Sequence, residues 1–163
     1  MAEKYNAVLG STLKDAQEWV FDNAEEGAEC PCCTQLARLY KRPLNSTMAR
    51  GLIWLVLAAG PSRAWVPMRK TGPKWLLAAG GEFAKLAHWG LIEEQPKDPK
   101  DTEKRTSGIW RPTEKGVSFA HARIRVPKRV HLYNNIQVGW DEKLVNIQQA
   151  LGKKFNYAEL MGR

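Results

Sequence analysis

Three cysteines stand within four positions, Cys30-Pro31-Cys32-Cys33. Cys30 and Cys33 have the Cys-x-x-Cys spacing that sets two thiolates on one side of a tight turn, which is half the ligand set of a zinc knuckle or ribbon. A structural zinc takes four ligands, and no second Cys-x-x-Cys follows. Cys32 is the third sulfur candidate. His88, His121 and His131 are the imidazoles that the fold would have to bring in, or else two chains would each supply a cysteine pair. A thioredoxin-like redox motif needs a βαβ setting that is missing here, and unligated thiols in a turn are the remaining alternative. Zinc on Cys30 and Cys33, with Cys32 as a further candidate, is the cofactor expected.

The second chemistry is electrostatic. The chain of 163 residues carries a formal charge of +8, unevenly spread. Residues 1–29 net −5, residues 30–74 hold eight Lys or Arg and no acid, and residues 97–130 net +6. An acidic head followed by two basic blocks favours a polyanionic partner such as nucleic acid. No Ser-His-Asp pattern, phosphate-cradling glycine loop, paired-carboxylate motif or His-Glu-x-x-His occurs, so no enzyme is expected. Met1–Gln17 has no apolar core of a signal peptide, and the apolar run Leu52–Ala59 is far short of the ~20 residues a bilayer requires. Clustered cysteines without a disulfide framework fit a reducing cytosol, so a cytoplasmic protein with no membrane partner is expected.

These groups need elements to position them. Hydrophobic residues make up 44%, enough for one packed core. The spacing predicts helices over Ser11–Glu25, Thr34–Arg42, Thr47–Ala59, Lys74–Trp89 (in one piece or broken at Gly80-Gly81), Thr113–Ala122 and Asp141–Phe155. It predicts strands over Leu91–Gln95 and Ile109–Arg111 around a charged loop, an extended piece at Trp65–Arg69, and a hairpin of Val130–Tyr133 and Ile136–Val138 turning at Asn134-Asn135. The seven tryptophans are expected to fill the core. The segments expected are an acidic N-terminal helix (1–29), a cysteine turn with a short helix (30–44), a central domain (45–125), and a hairpin with a C-terminal helix (126–163).

The stretch Leu86 to Gly116 reads as helix, strand, charged tip, strand, helix. It resembles the winged helix-turn-helix regulators of the MarR-like kind. The matching positions are Leu86, Gly90, Leu91, Ile92, then Asp98, Pro99, Asp101 and Arg105 at the wing tip, and Thr113-Glu114-Lys115-Gly116 at the next helix start. Pro112 replaces the usual aliphatic residue, and neither the cysteine turn nor Val126–Val138 belongs to that pattern. The cysteine turn, Tyr40-Lys41-Arg42 and Trp89–Glu93 are also similar to small uncharacterised phage and prophage proteins. The resemblance implies an α+β, mostly α chain: a winged helix-turn-helix with flanking N- and C-terminal helices, those terminal helices forming a homodimer surface.

In such a fold the second helix of the pair lies in the major groove and the wing touches the backbone. The expected nucleic-acid contacts are Arg63, Arg69, Lys70, Lys74, Lys85, His88, Lys97, Lys100, Lys104 and Arg105. Lys74–Trp89 is poor in the Arg, Lys, Asn and Gln that read base edges, so phosphate contacts should dominate. A DNA-binding regulator is the leading expectation. The alternative is a protein-interaction module, such as a phage-encoded inhibitor docking on a host nucleic-acid enzyme.

Overall fold

The computed structural model describes residues 11–163. In chain order the elements are α1 (Leu13–Asp22), β1 (Ala28–Glu29), β2 (Leu36–Ala37), β3 (Tyr40–Pro43), α2 (Ser46–Ala59), β4 (Val66–Pro67), α3 (Met68–Thr71), α4 (Lys74–Ala78), a 3-10 helix (Gly80–Trp89), β5 (Ile92–Glu94), β6 (Ile109–Pro112), α5 (Glu114–Ala120), β7 (Val126–Pro127), β8 (Arg129–Tyr133), β9 (Ile136–Trp140), β10 (Leu144–Val145), α6 (Ile147–Leu151) and α7 (Tyr157–Leu160). About 39% is helix and 20% strand, in several small antiparallel sheets. The mostly α fold class with long flanking helices is therefore overturned: the chain is mixed.

Two segments account for the difference. Residues 34–42 form no helix: after a turn at Thr34 they run through the short strands β2 and β3. The backbone N–H of Cys30 donates to Gln35 O at 2.8 Å, which folds the cysteine loop back and pairs Glu29 with Leu36 and Ala28 with Ala37. The span 141–155 is likewise not one helix. Lys128 N–H donates to Lys143 O at 2.8 Å and Val126 pairs with Val145, so the chain stays extended past Asp141. Asn146 then opens α6 in a reciprocal capping box with Gln149, and Gly152 at φ +64° ends it after five residues. In place of the two long terminal helices expected, the chain has α1 near its start and the two short helices α6 and α7 near its end.

The chain divides into two compact units, one ending at Arg42 and completed by Arg129–Trp140, the other made of Pro43–Lys128 and Asp141–Arg163. In the first unit, Thr12 and Asp15 cap α1 reciprocally, and the helix buries Ala16 and Val20. Phe21 meets the ring of Tyr133 edge-on at 5.1 Å. The β8–β9 hairpin turns at Asn134 and Asn135, both left-handed with φ of 48° and 62°, as a two-residue turn of this hand requires. The expected Ser11–Glu25 helix and this hairpin are both present, within a few residues. The expectation about Met1–Gln17 falls mostly outside the described residues.

The second unit is organised around α2. Asn45 caps it, and eight of its residues are buried, including Leu52, Ile53 and Leu55. It packs against the 3-10 helix, α5, α6 and β6. The approach is close at Gly51, where a Cβ would stand 2.9 Å from Leu76 Cδ1 and 3.0 Å from Phe83 Cδ2. Arg50, also on α2, lays its guanidinium 3.8 Å from the ring centre of Trp75 and 4.8 Å from that of Phe155. Trp89 is almost wholly buried and donates its indole N–H to Pro127 O at 2.7 Å. The other six tryptophans are half-buried, so they line the core's margin instead of filling it. No helix among the described residues is long and apolar enough to cross a membrane.

Candidate nucleic-acid interface

β4, β6 and β5 form one antiparallel sheet in that order, and β5 and β6 enclose the charged loop 95–108. The glycines around it explain the sequence pattern. Gly90 takes φ +68° and turns the chain out of the 3-10 helix. Thr113 N–H donates to Leu91 O at 3.1 Å, while the Thr113 hydroxyl accepts from Gly116 N–H at 3.0 Å and caps α5. A Cβ on Gly116 would lie 1.9 Å from Leu91 O, so only glycine fits there. The Gly-Leu-Ile and Thr-Glu-Lys-Gly motifs are therefore the two sides of one backbone contact.

The loop is self-organised. Ser107 hydroxyl donates to Gln95 O at 2.6 Å, and Gly108 N–H donates to the Glu94 carboxylate at 3.0 Å. Asp98 accepts from Lys100 N–H at 2.9 Å. Asp101 accepts from the backbone N–H groups of Glu103 and Lys104 at 3.3 and 3.2 Å. Desolvation opposes its ionisation, but the bonds from the Lys104 backbone and side chain hold the Asp101 carboxyl below the usual carboxylate value. Two of the loop's three acids are thus used to shape it, and the cations stand outward. Lys100, Lys104 and Arg105 are exposed, although Lys104 keeps a surface ion pair with Asp101 at 3.4 Å. Lys97 is tied into the loop, donating to Lys104 O at 2.8 Å.

At the root of the hairpin, Met68 N–H donates to Gly108 O at 3.0 Å, and Pro67 pairs with Ile109. This pairing brings α3 against the loop, with Arg69 lying alongside Gly108. Arg69 and Lys70 are exposed and add two cations on α3, at the root of the hairpin. Lys74 is exposed at the start of α4, one turn on.

Three of the expected contacts stand apart. Arg63 is at the other end of the sheet, where it donates to Pro112 O at 3.3 Å and pairs with Glu114 at 3.7 Å. It lines a cleft of about 580 Å³ with Val117, His121 and Arg123. Lys85 is half-buried in an ion pair with Glu82, whose carboxylate also accepts from Asn45. His88 is half-buried, and burial, followed by the nearby Lys85 charge, lowers its pKa below 6.5, so it is neutral at pH 7. The exposed positions of the 3-10 helix are Gly80, Gly81, Ala84 and Ala87. None of them offers a side chain that hydrogen-bonds a base edge.

No protein-family model, curated protein or solved structure matches the chain.

The first unit holds a group that the sequence reading passed over. Arg38 and Arg42 set their guanidinium carbons 5.9 and 5.6 Å from the ring centre of exposed Tyr40. Its signal is Arg42 two residues after Tyr40 on β3, with Arg38 two residues before it in the connection from β2. The cysteine loop lies in the same unit. Its Cys30 and Cys33 flank a hollow of about 470 Å³ together with Arg38, Tyr133 and Asn134, and no histidine lines it. Among the described residues no group of three or more His, Cys, Asp or Glu is arranged to hold a metal.

Proposed function

We propose that this protein binds nucleic acid through phosphate contacts, largely independent of sequence, and that it is not an enzyme. The observations that carry the reading are the exposed cations Lys100, Lys104 and Arg105 of the loop and the exposed Arg69 and Lys70 of α3, which the Met68–Gly108 backbone bond joins to the root of the same hairpin. The Gly and Ala face of the 3-10 helix favours backbone binding over base reading. We read Leu86–Gly116 as kinship with the MarR-like regulators, and the three free thiols as fitting a reducing cytosol. The test is a titration of the full chain against a labelled random-sequence duplex at low and moderate salt. Affinity that falls steeply with salt supports the reading, and absence of binding at low salt overturns it.

A second reading, a protein-docking module, is favoured by the exposed apolar side chains of the first unit: Phe21 at 52%, Leu36 at 54% and Ile136 at 63% exposure. Under it, the duplex titration is flat and a host nucleic-acid enzyme is the partner.

A further inference from the structure

The hairpin surface makes no use of the first unit, which has a built hollow of its own, about 470 Å³ in volume and within the usual range of small-ligand sites. The cysteine loop forms one wall. Cys30 N–H to Gln35 O and Thr34 N–H to Cys30 O, both 2.8 Å, close that loop, and Thr34 at φ +63° reverses the chain so that Gln35 and Leu36 return along the hollow. Helix α1 brings Gln17, the tip of the β8–β9 hairpin brings Tyr133 and Asn134, and β3 brings Tyr40. Phe21, edge-on at 5.1 Å, braces Tyr133.

Two tyrosine rings, three carboxamides and a guanidinium thus meet at one place. The amides of Gln17, Gln35 and Asn134 each join a donor and an acceptor in one group, which matches the mixed donor–acceptor edge of a nucleobase. Arg38 is the charged residue of the lining, and no Asp or Glu among the described residues lines it. Glu25, which lines a neighbouring hollow with Arg38 and Tyr40, is paired with Lys41 at 3.5 Å. An anion at Arg38 is therefore not opposed by a carboxylate of the lining.

Distance decides whether the Tyr40 ring is available. Arg50 sits 3.8 Å from the ring centre of Trp75, in van der Waals contact. The guanidinium carbons of Arg38 and Arg42 stand 5.9 and 5.6 Å from the ring centre of Tyr40, at the outer limit of a cation–π contact of about 6 Å. Tyr40 keeps 48% of its surface exposed. A flat group can therefore lie on the ring while the two guanidinium groups turn to the phosphates on either side. A duplex keeps its bases stacked and paired and cannot offer one to such a site, whereas a single strand can.

Resting on the reading that this protein binds nucleic acid, we propose that the first unit carries a second site, which takes one unpaired base of a single strand. The base stacks on Tyr40, its edge hydrogen-bonds to the amides of Gln17, Gln35 and Asn134, and Arg38 and Arg42 hold the flanking phosphates. Binding here is non-covalent and is separate from the phosphate contacts of the hairpin tip.

The experiment uses the full chain and fluorescein-labelled ten-nucleotide strands of thymidine, of uridine, and of abasic deoxyribose phosphate, read by anisotropy at low salt. The abasic strand has the same phosphates and no base. Wild type should bind the thymidine or the uridine strand more tightly than the abasic one, and the two sugars show whether DNA or RNA is preferred. Tyr40→Ala should weaken binding of the base-bearing strand about 5- to 150-fold, the loss expected for one base–aromatic stack, and should no longer distinguish it from the abasic strand. Tyr40→Phe should keep most of the affinity, because stacking needs the ring and not the hydroxyl. Arg38→Ala with Arg42→Ala should reduce the single-strand salt slope by about 1.4, from about 0.7 per phosphate. Tyr40→Ala should leave the duplex salt slope at its wild-type value, and circular dichroism checks that each variant is folded. Equal wild-type affinity for base-bearing and abasic strands, or a folded Tyr40→Ala that binds the base-bearing strand like wild type, would overturn the proposal. Either result can stand beside a salt-dependent duplex titration, so failure of this site is distinct from failure of the hairpin surface.

Discussion

Replacing Lys104 and Arg105 together by alanine tests the interface most directly. Five exposed cations lie on the hairpin tip and α3: Arg69, Lys70, Lys100, Lys104 and Arg105. If each meets one phosphate, log affinity falls with log salt at a slope of about −4.5, from about −0.9 per phosphate on a duplex. Between about 50 and 200 mM salt this is a loss of about 500-fold. The double variant keeps three contacts, giving a slope of about −2.7 and a loss of about 40-fold over the same range. The Lys104–Asp101 pair does not change this count, since an exposed ion pair is worth roughly 0–1 kcal/mol and Lys104 can exchange it for a phosphate. Fluorescence anisotropy on a labelled duplex measures both slopes. Arg63→Ala is the matched control: it removes a cation from the far end of the sheet and should leave the slope near wild type. Equal slopes for the wild type and the folded double variant would refute the assignment of the tip.

Three further outcomes concern the scaffold. Gly116→Ala should cost about 3 kcal/mol, the upper end for overpacking, because its Cβ would strike the backbone oxygen of Leu91 at 1.9 Å; a urea midpoint close to wild type would remove the explanation of the Thr-Glu-Lys-Gly motif. Thr113→Ala should cost about 1–2 kcal/mol by chemical denaturation, with Thr113→Ser recovering most of it, since the hydroxyl caps α5. His88 has its pKa lowered by burial and by Lys85, so the unfolded chain takes up the proton more readily. Its contribution to stability is therefore complete above pH 6.5 and is lost as pH falls below that value, and His88→Gln should flatten this part of the acid limb in urea midpoints measured across it.

Where a local rule coincided with a backbone contact, the sequence was legible. Asn45 capping α2, Gly90 leaving the 3-10 helix and Asn134-Asn135 turning a hairpin each follow from one residue's conformational preference, and each stands within a few residues of its expected place. Gly80, at φ +62°, opens the 3-10 helix after α4 has ended at Ala78, which is the break that the Gly80-Gly81 pair suggests. Residues 34–42 and 141–155 were not legible, because both depend on strand pairing: β2 with β1 and β3 with β8 in the first, β10 with β7 in the second. Lys143 accepts its hydrogen bond from Lys128, and the chain has no local signal that forbids a helix after Asp141. Propensity lost to tertiary pairing at both places.

The same dependence decides which cations can act. Read along the chain, Arg63, Lys85 and Arg105 are equivalent basic residues. In the fold, Arg63 is joined to Pro112 and Glu114, Lys85 to Glu82, and Arg105 stands exposed on the tip. A positive count cannot distinguish a side chain that holds the scaffold from one that meets a partner, because the difference lies in which acid stands alongside: Glu114 across the fold from Arg63, Glu82 one helical turn from Lys85. Arg38, Tyr40 and Arg42 make the converse point. On a helix Arg38 and Arg42, four residues apart, would share a face and Tyr40 would stand away from both. Here Arg38 lies just before β3 while Tyr40 and Arg42 lie on it, and the two guanidinium carbons stand 5.9 and 5.6 Å from the centre of one exposed ring.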